Sequence, residues 1–368
     1  MSSLLFLGTS SGAGKTTLNA AYCRYLAKGG KRVVPFKASN LSLNSYVTAD
    51  GREIGMGQAF QAWACGIEPT ADMNPVLVKP LGGGRMQVML RGEPFMYVGP
   101  GTLMPKDEVM DRVCESYDLL CRDYDRVVCE GSGSPVELNL MEADMANIGL
   151  MRARGVPAVL IGDIERGGVF AAVYGTWLLM PEDVRPLMRG FVINRFRGDA
   201  SILGSGIKKV EELTGMECLG IVPYNHLRFP EEDSLSSKGG RIGSGSIQEG
   251  FVRNLDELIA SAEETGLDFS RFDEISSARG DPDRFNHDPI ADGRIHRDRH
   301  PIHYEYERLR VETCAACRLG RCGSRRRFPP LPLAFEPEAH SPITSPAGRF
   351  IPPEGIRPIN RLVAVRCA

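Results

Sequence analysis

The sequence predicts an α/β protein with a mostly parallel sheet, helices on both faces and an irregular C-terminal tail. Two observations carry this expectation. Short apolar runs recur through residues 1–234, at Leu4–Leu7, Val33–Phe36, Val76–Val78, Val127–Cys129, Ala158–Ile161, Phe191–Ile193 and Leu219–Val222, and helix-like segments separate most of them. Buried strands alternating with helices read as a parallel sheet covered on both sides. The first run also opens directly into Gly8-Thr9-Ser10-Ser11-Gly12-Ala13-Gly14-Lys15-Thr16-Thr17, with a helical pattern from Leu18 to Ala27 behind it. Strand, glycine-rich loop and helix are the context of a phosphate-binding loop, which narrows the fold class to the P-loop NTPase type.

Within that loop the glycines let backbone N–H groups turn toward a phosphate, and the helix N-terminus adds partial positive charge. Gly12, Ala13, Gly14, Lys15, Thr16 and Thr17 are the expected nucleotide-binding residues. Lys15, read as an exposed loop lysine, would reach the β- and γ-phosphates, and the Thr16 hydroxyl would bind Mg²⁺. Counted from Gly8, the spacing holds one residue more than G-x-x-x-x-G-K-[ST].

The chain has 368 residues and a formal net charge of -2. That is enough for two domains and an ample core. The near-neutral balance gives no reason to expect nucleic acid or an anionic membrane as partner. No stretch approaches the roughly 20 apolar residues of a membrane span, and the N-terminus enters the first strand without a signal-peptide pattern. The ten cysteines are scattered. A reduced, cytoplasmic protein is expected rather than a disulfide framework.

Ligands of parallel α/β sheets sit at the carboxyl ends of the strands, so the polar residues after each run are the candidates. Lys37 follows the second run and would lie near the phosphates; a solvated loop lysine is the alternative. Lys79 ends the Val76–Val78 run. Glu130 ends the fourth, before Gly131-Ser132-Gly133-Ser134-Pro135, where a hard cation would find a carboxylate to complement Thr16. Asp144 stands one helix-like segment on, and also reads as a surface acid. Asp163, Glu165 and Arg166 beside two glycines suit a charged ligand or an internal salt bridge. Asn194 could serve a purine edge or cap the following helix.

Gly8–Thr17, Pro35–Ser45, Asp72–Pro80, Glu130–Pro135, Asp163–Phe170, Asn194–Asp199 and Leu219–Tyr224 together resemble the cobyric acid synthase family, in its order and approximate spacing. The resemblance covers residues 1–234. It implies a dethiobiotin synthetase-like ATP-binding domain that uses ATP and Mg²⁺. The implied reaction is amidation of the b, d, e and g carboxylates of adenosylcobyrinic a,c-diamide, a corrinoid, in cobalamin biosynthesis. ATP would convert each carboxylate to an acyl phosphate, which ammonia drawn from glutamine would then displace. Lys15 and Lys37 would face the transferring phosphoryl group, Thr16 and Glu130 the metal, Asn194 the nucleotide, and Asp144, Asp163 and Arg166 the corrinoid. Ser39 stands where the family pattern expects glutamine.

The family continues into a class I glutaminase domain with a nucleophilic cysteine, and no such elbow is legible after residue 234. Ammonia is therefore expected from solution or from a separate glutaminase. Residues 235–275 read as a linker with a remnant helix over Phe251–Ala260. Residues 276–368 read as a poorly ordered tail rich in arginine and proline, foreign or frame-shifted in character, with no lysine after Lys238. Its Cys314, Cys317 and Cys322, near His300 and His303, are spaced more like chance than a zinc site, and Arg325–Arg327 more like a charged run than a nucleic-acid tail. A homodimer is left open. The alternatives are cobyrinic acid a,c-diamide synthase, a dethiobiotin synthetase-like ligase, an inactive remnant, and a partitioning-type ATPase. Thr9 and Ser10 disfavour the last, which carries a lysine early in its loop.

Overall fold

The computed structural model describes residues 2–102, 104–224 and 245–277. In chain order the elements are β1 (Ser2–Gly8), α1 (Lys15–Lys28), β2 (Val33–Phe36), β3 (Ser39–Leu41), β4 (Ser45–Val47), β5 (Glu53–Gly55), α2 (Met56–Cys65), β6 (Val76–Gly82), β7 (Arg85–Leu90), β8 (Glu93–Val98), α3 (Lys106–Asp123), β9 (Arg126–Glu130), α4 (Ile148–Arg154), β10 (Ala158–Asp163), α5 (Val169–Leu179), β11 (Met188–Phe196), α6 (Gly204–Thr214), β12 (Glu217–Pro223), α7 (Gly245–Glu264) and α8 (Phe269–Ser277).

Six strands form one parallel sheet in the order β12-β11-β10-β1-β9-β2. The central strand β1 shows why both faces are covered. Successive side chains of a strand point to opposite faces, and Leu4, Leu5, Phe6 and Leu7 are all fully buried. Leu5 and Leu7 join a core with Val109 and Val113 of α3, Leu150 of α4, Val173 of α5 and Val210 of α6. Leu4 and Phe6 join the opposite core with Leu18 and Tyr22 of α1, Phe60 of α2, Leu255 of α7 and Phe272 of α8.

That second core includes apolar residues of the stretch expected as a linker. Phe251, Leu255, Leu258, Ile259 and Ala262 of α7 are buried at helical spacing, so the Phe251–Ala260 segment lies inside a longer helix that closes one face of the sheet. In α8, the Phe272 ring meets Phe6 at 5.5 Å and Tyr22 at 5.4 Å, both edge-on. Arg24 grips Asp256 of α7 through two hydrogen bonds of 3.0 and 3.1 Å. The tail from residue 278 onward, with its cysteine cluster and arginine run, lies outside the described residues.

One apolar run is placed differently from the expectation. Val76–Val78 belongs to β6, which lies in a second sheet of order β3-β6-β7-β8. There β6 pairs in parallel with β3 on one side and antiparallel with β7 on the other, which it reaches through a turn at Gly82, Gly83 and Gly84, whose φ values are 84, 58 and 72°. The hairpin and α2 form an insertion between β2 and α3, beside the carboxyl end of the main sheet.

Candidate nucleotide site

The phosphate loop leaves β1 at its carboxyl end, where the Thr9 amide donates to the Ile161 carbonyl at 2.9 Å. Gly14 (φ 103°) caps α1 without any side-chain cap, leaving the first amides of the helix to other partners. A Cβ there would stand 2.0 Å from Asn194 Nδ2, so glycine is required both by the backbone and by the close neighbour. Lys15 is only 6 % exposed, contrary to the expected exposed loop lysine. Its Nζ donates to the Ser10 carbonyl at 3.2 Å and to the Gly133 carbonyl at 2.8 Å, folding the chain of Lys15 back between two loops.

Strand register brings the remaining charged groups together. Phe36 pairs with Cys129 and Phe6 with Glu130, so Lys37 and Glu130 emerge side by side at the carboxyl ends of β2 and β9. Lys37 Nζ donates to Glu130 Oε1 at 2.9 Å. Thr16 Oγ1 donates to the same oxygen at 2.9 Å. Glu130 is 1 % exposed and Lys37 4 %, a burial that charges tolerate only when paired. A hydroxyl and a carboxylate meeting beside a phosphate loop are the hard oxygen donors Mg²⁺ selects, so the residues fit that ion. The Lys37 ammonium already marks this carboxylate as a seat for positive charge.

Three further residues shape the site, none foreseen from the sequence. Gln61 of α2, fully buried, donates through Nε2 to Glu130 Oε2 at 2.5 Å and to the Thr16 carbonyl at 3.4 Å. Asn147 accepts the Ser132 amide at 3.1 Å and donates to the Ser132 carbonyl at 2.8 Å, holding the loop after Glu130. Arg195, in a left-handed backbone conformation (φ 63°), donates to Asp163 Oδ2 at 2.8 Å. Gln61 and Asn147 act across tertiary contacts that leave no local pattern. Arg195 adjoins Asn194 and could have been found as another charged group at a strand end.

Asp144 lies behind this arrangement, accepting the Asn147 side-chain amide at 2.6 Å and backbone amide at 2.9 Å. Burial pushes its carboxyl above the ordinary range, and the Asn147 hydrogen bonds oppose that shift. Asp163 ends β10 opposite Asn194 of β11. It accepts the Glu165 amide at 2.9 Å, with exposed Arg166 at 3.9 Å. Of the two readings for this group, an internal ion pair is present, with Arg195 as the closer partner. Asn194 Nδ2 donates to the Ala13 carbonyl at 2.8 Å, and its Oδ1 accepts the Arg195 amide at 2.9 Å. Nearby, the Arg197 guanidinium stacks 3.3 Å from the centroid of the Tyr224 ring and pairs with Glu165 at 3.1 Å. Thr16, Lys37 and Glu130 thus form one cluster, Lys15 lies between the loops at Ser10 and Gly133, Asn194 abuts the phosphate loop, and Asp163 with Arg166 occupies the next strand end. The described residues hold no cluster of three His, Cys, Asp or Glu side chains able to bind a metal among themselves.

Sheet order, loop and cluster define a P-loop-type nucleotide-binding α/β protein. Residues 4–234 match the family described as CobQ/CobB/MinD/ParA nucleotide binding domain. The chain belongs to this family, and it is similar to cobyric acid synthases. It is 48 % identical over 254 residues to the probable cobyric acid synthase of Methanosarcina acetivorans, covering 68 % of this chain and 52 % of that protein. The corresponding protein of Methanosarcina barkeri is 51 % identical over 235 residues, covering 64 % of this chain and 48 % of that protein. That of Methanosarcina mazei is 45 % identical over 286 residues, covering 76 % and 59 %. The chain therefore spans about half the length of the curated relatives it matches.

Proposed function

We propose that this chain binds ATP with Mg²⁺ and activates corrinoid side-chain carboxylates for amidation, as a cytoplasmic step of cobalamin biosynthesis. The observation that carries the reading is the meeting of Thr16 and Lys37 on Glu130, beside the phosphate loop whose Lys15 reaches the Gly133 carbonyl, in a chain similar to cobyric acid synthases. The carboxylates concerned are those at b, d, e and g of adenosylcobyrinic a,c-diamide.

A carboxylate is a poor electrophile because its charge is delocalised. Its oxygen attacks the γ-phosphorus of ATP, the bond to the bridging oxygen breaks, and ADP leaves. Ammonia then attacks the acyl carbon of the acyl phosphate, and phosphate departs with the C–O electron pair. The protein's share is positioning and charge neutralisation. Lys15 turns from its two carbonyl partners to the β- and γ-oxygens. Lys37 moves from Glu130 toward the transferring phosphoryl group. Thr16 and Glu130 would hold Mg²⁺, which when bound would neutralise phosphate charge. Asn194 serves the nucleotide. Asp163 and Arg166 face the corrinoid, and Asp144 acts on that side through Asn147 and the loop at Ser132. Ammonia comes from solution or from a separate glutaminase, and corrinoid and ammonia donor are the expected partners.

The test measures ADP release by the full chain with ATP, Mg²⁺, the a,c-diamide corrinoid and ammonium. Release that depends on the corrinoid and disappears in Lys15→Ala is the expected result. Release that ignores the corrinoid, or survives in Lys15→Ala, would overturn the reading.

A further inference from the structure

Helix α2 packs against α1 and β2, and the side it turns toward the nucleotide site carries two glutamines one turn apart. Gln58 and Gln61 are both completely buried. A buried helix face is ordinarily apolar, because an amide buried without partners is destabilising. Here part of that cost is present: Gln61 Oε1 and Gln58 Nε2 have no hydrogen-bond partner. The bonds Gln61 does make are therefore a poor investment in stability, which directs attention to what they hold.

They hold the Mg²⁺ ligands. One Nε2 group reaches Glu130 Oε2 and the backbone carbonyl of Thr16. Glu130 and Thr16 lie on different elements, β9 and α1, and their functional atoms meet at Oε1. Fixing Oε2 from the far side sets the rotation of the carboxylate about its last bond, so that Oε1 faces the Thr16 hydroxyl. Hydrogen bonds of this kind, made to ligands rather than to the ion, typically govern metal affinity by about 10–100-fold.

We infer that Gln61 is a positioning residue for the Mg²⁺ site, orienting Glu130 and Thr16 without touching the ion. The inference rests on the function proposed above. Because α2 follows directly on β5, whose Glu53 forms an ion pair with Lys79 of β6, Gln61 also links the metal ligands to the inserted second sheet.

The test uses ATP binding by calorimetry on the full chain, with Mg²⁺ varied from none to saturation, for wild type and Gln61→Met. Methionine keeps the length of the side chain and removes the amide, and far-UV circular dichroism with thermal melting verifies that the variant folds. The expected result is a tenfold or larger rise in the Mg²⁺ concentration giving half-maximal tightening of ATP binding, with metal-free ATP affinity changed less than twofold. If Gln61→Met does not fold, Gln61→Asn, too short to span from α2 to Glu130, carries the same expectation. Unchanged Mg²⁺ dependence in the folded variant, or an equal loss with and without Mg²⁺, would overturn the inference while leaving the proposed function standing. Absence of any Mg²⁺ effect on ATP binding by the wild type would overturn both.

Discussion

Glu130 is a buried carboxylate whose acceptors are taken by Thr16, Lys37 and Gln61. Removing one partner of a buried ion pair strands the other charge and costs about 3–5 kcal/mol. Lys37→Met should therefore destabilise the Mg²⁺-free protein by about 3 kcal/mol in urea titration, and by much less in a Glu130→Gln background. Equal losses in both backgrounds would show that Lys37 does not neutralise Glu130. Glu130→Gln itself keeps the shape but removes the charge needed for the cation, so turnover should fall on the order of 10²-fold or more. A fall of less than threefold would tell against Glu130 as a metal ligand. The meeting of Lys37 and Glu130 was legible in the sequence because each sits one step past an apolar run, and parallel strands deliver such positions to one edge. Gln61 was not legible, because nothing in the alternation of α2 distinguishes a residue facing a carboxylate from one facing the core.

At the scale of elements, the join between β9 and α4 depends on Asp144. Its carboxyl is raised above the ordinary value of 3.8, chiefly by burial. Between 3.8 and the raised folded value the folded state binds more protons than the unfolded chain. Stability contributed by this group is thus fullest below 3.8 and is lost as pH rises through the folded value. Asp144→Asn lacks this titration. The melting temperature of wild type minus that of Asp144→Asn should fall as pH is raised from below 3.8 to neutrality; a difference that is flat or rises with pH would contradict the assignment. Helix α8 offers a second check. Phe272 is fully buried between Phe6 and Tyr22, and truncating a core phenylalanine typically costs about 3–5 kcal/mol. Phe272→Ala should show a loss of that size in chemical denaturation, whereas a loss under about 1 kcal/mol would mean that α8 is not part of the core. The sequence revealed a helix over Phe251–Ala260 by periodicity, yet not its docking, since periodicity shows which side is apolar and not what covers it. Val76–Val78 was misplaced for a related reason. A short apolar run looks the same in either sheet, and only its pairing with β3 and β7 places β6 in the second.

Across the described residues, the parallel sheet supplies one edge at which the phosphate loop, Glu130 and Lys37 meet, and the insertion from β3 to β8 stands beside that edge. The fold class could be read from strand–helix alternation and the loop, but not the division of the described strands into three sheets, which depends on pairings that short apolar runs do not specify. No helix of the described residues is long and apolar enough to cross a membrane. Under the proposed function, this chain would activate a corrinoid carboxylate with ATP and leave it open to ammonia. The most direct measurement is mass spectrometry of the a,c-diamide corrinoid after incubation with the full chain, ATP, Mg²⁺ and ammonium at raised pH, where more ammonia is the attacking free base. Conversion of corrinoid carboxylates to amides, absent without ATP and absent in Lys15→Ala, is the predicted result. An unmodified corrinoid in the presence of protein that binds Mg²⁺ and ATP normally would contradict it.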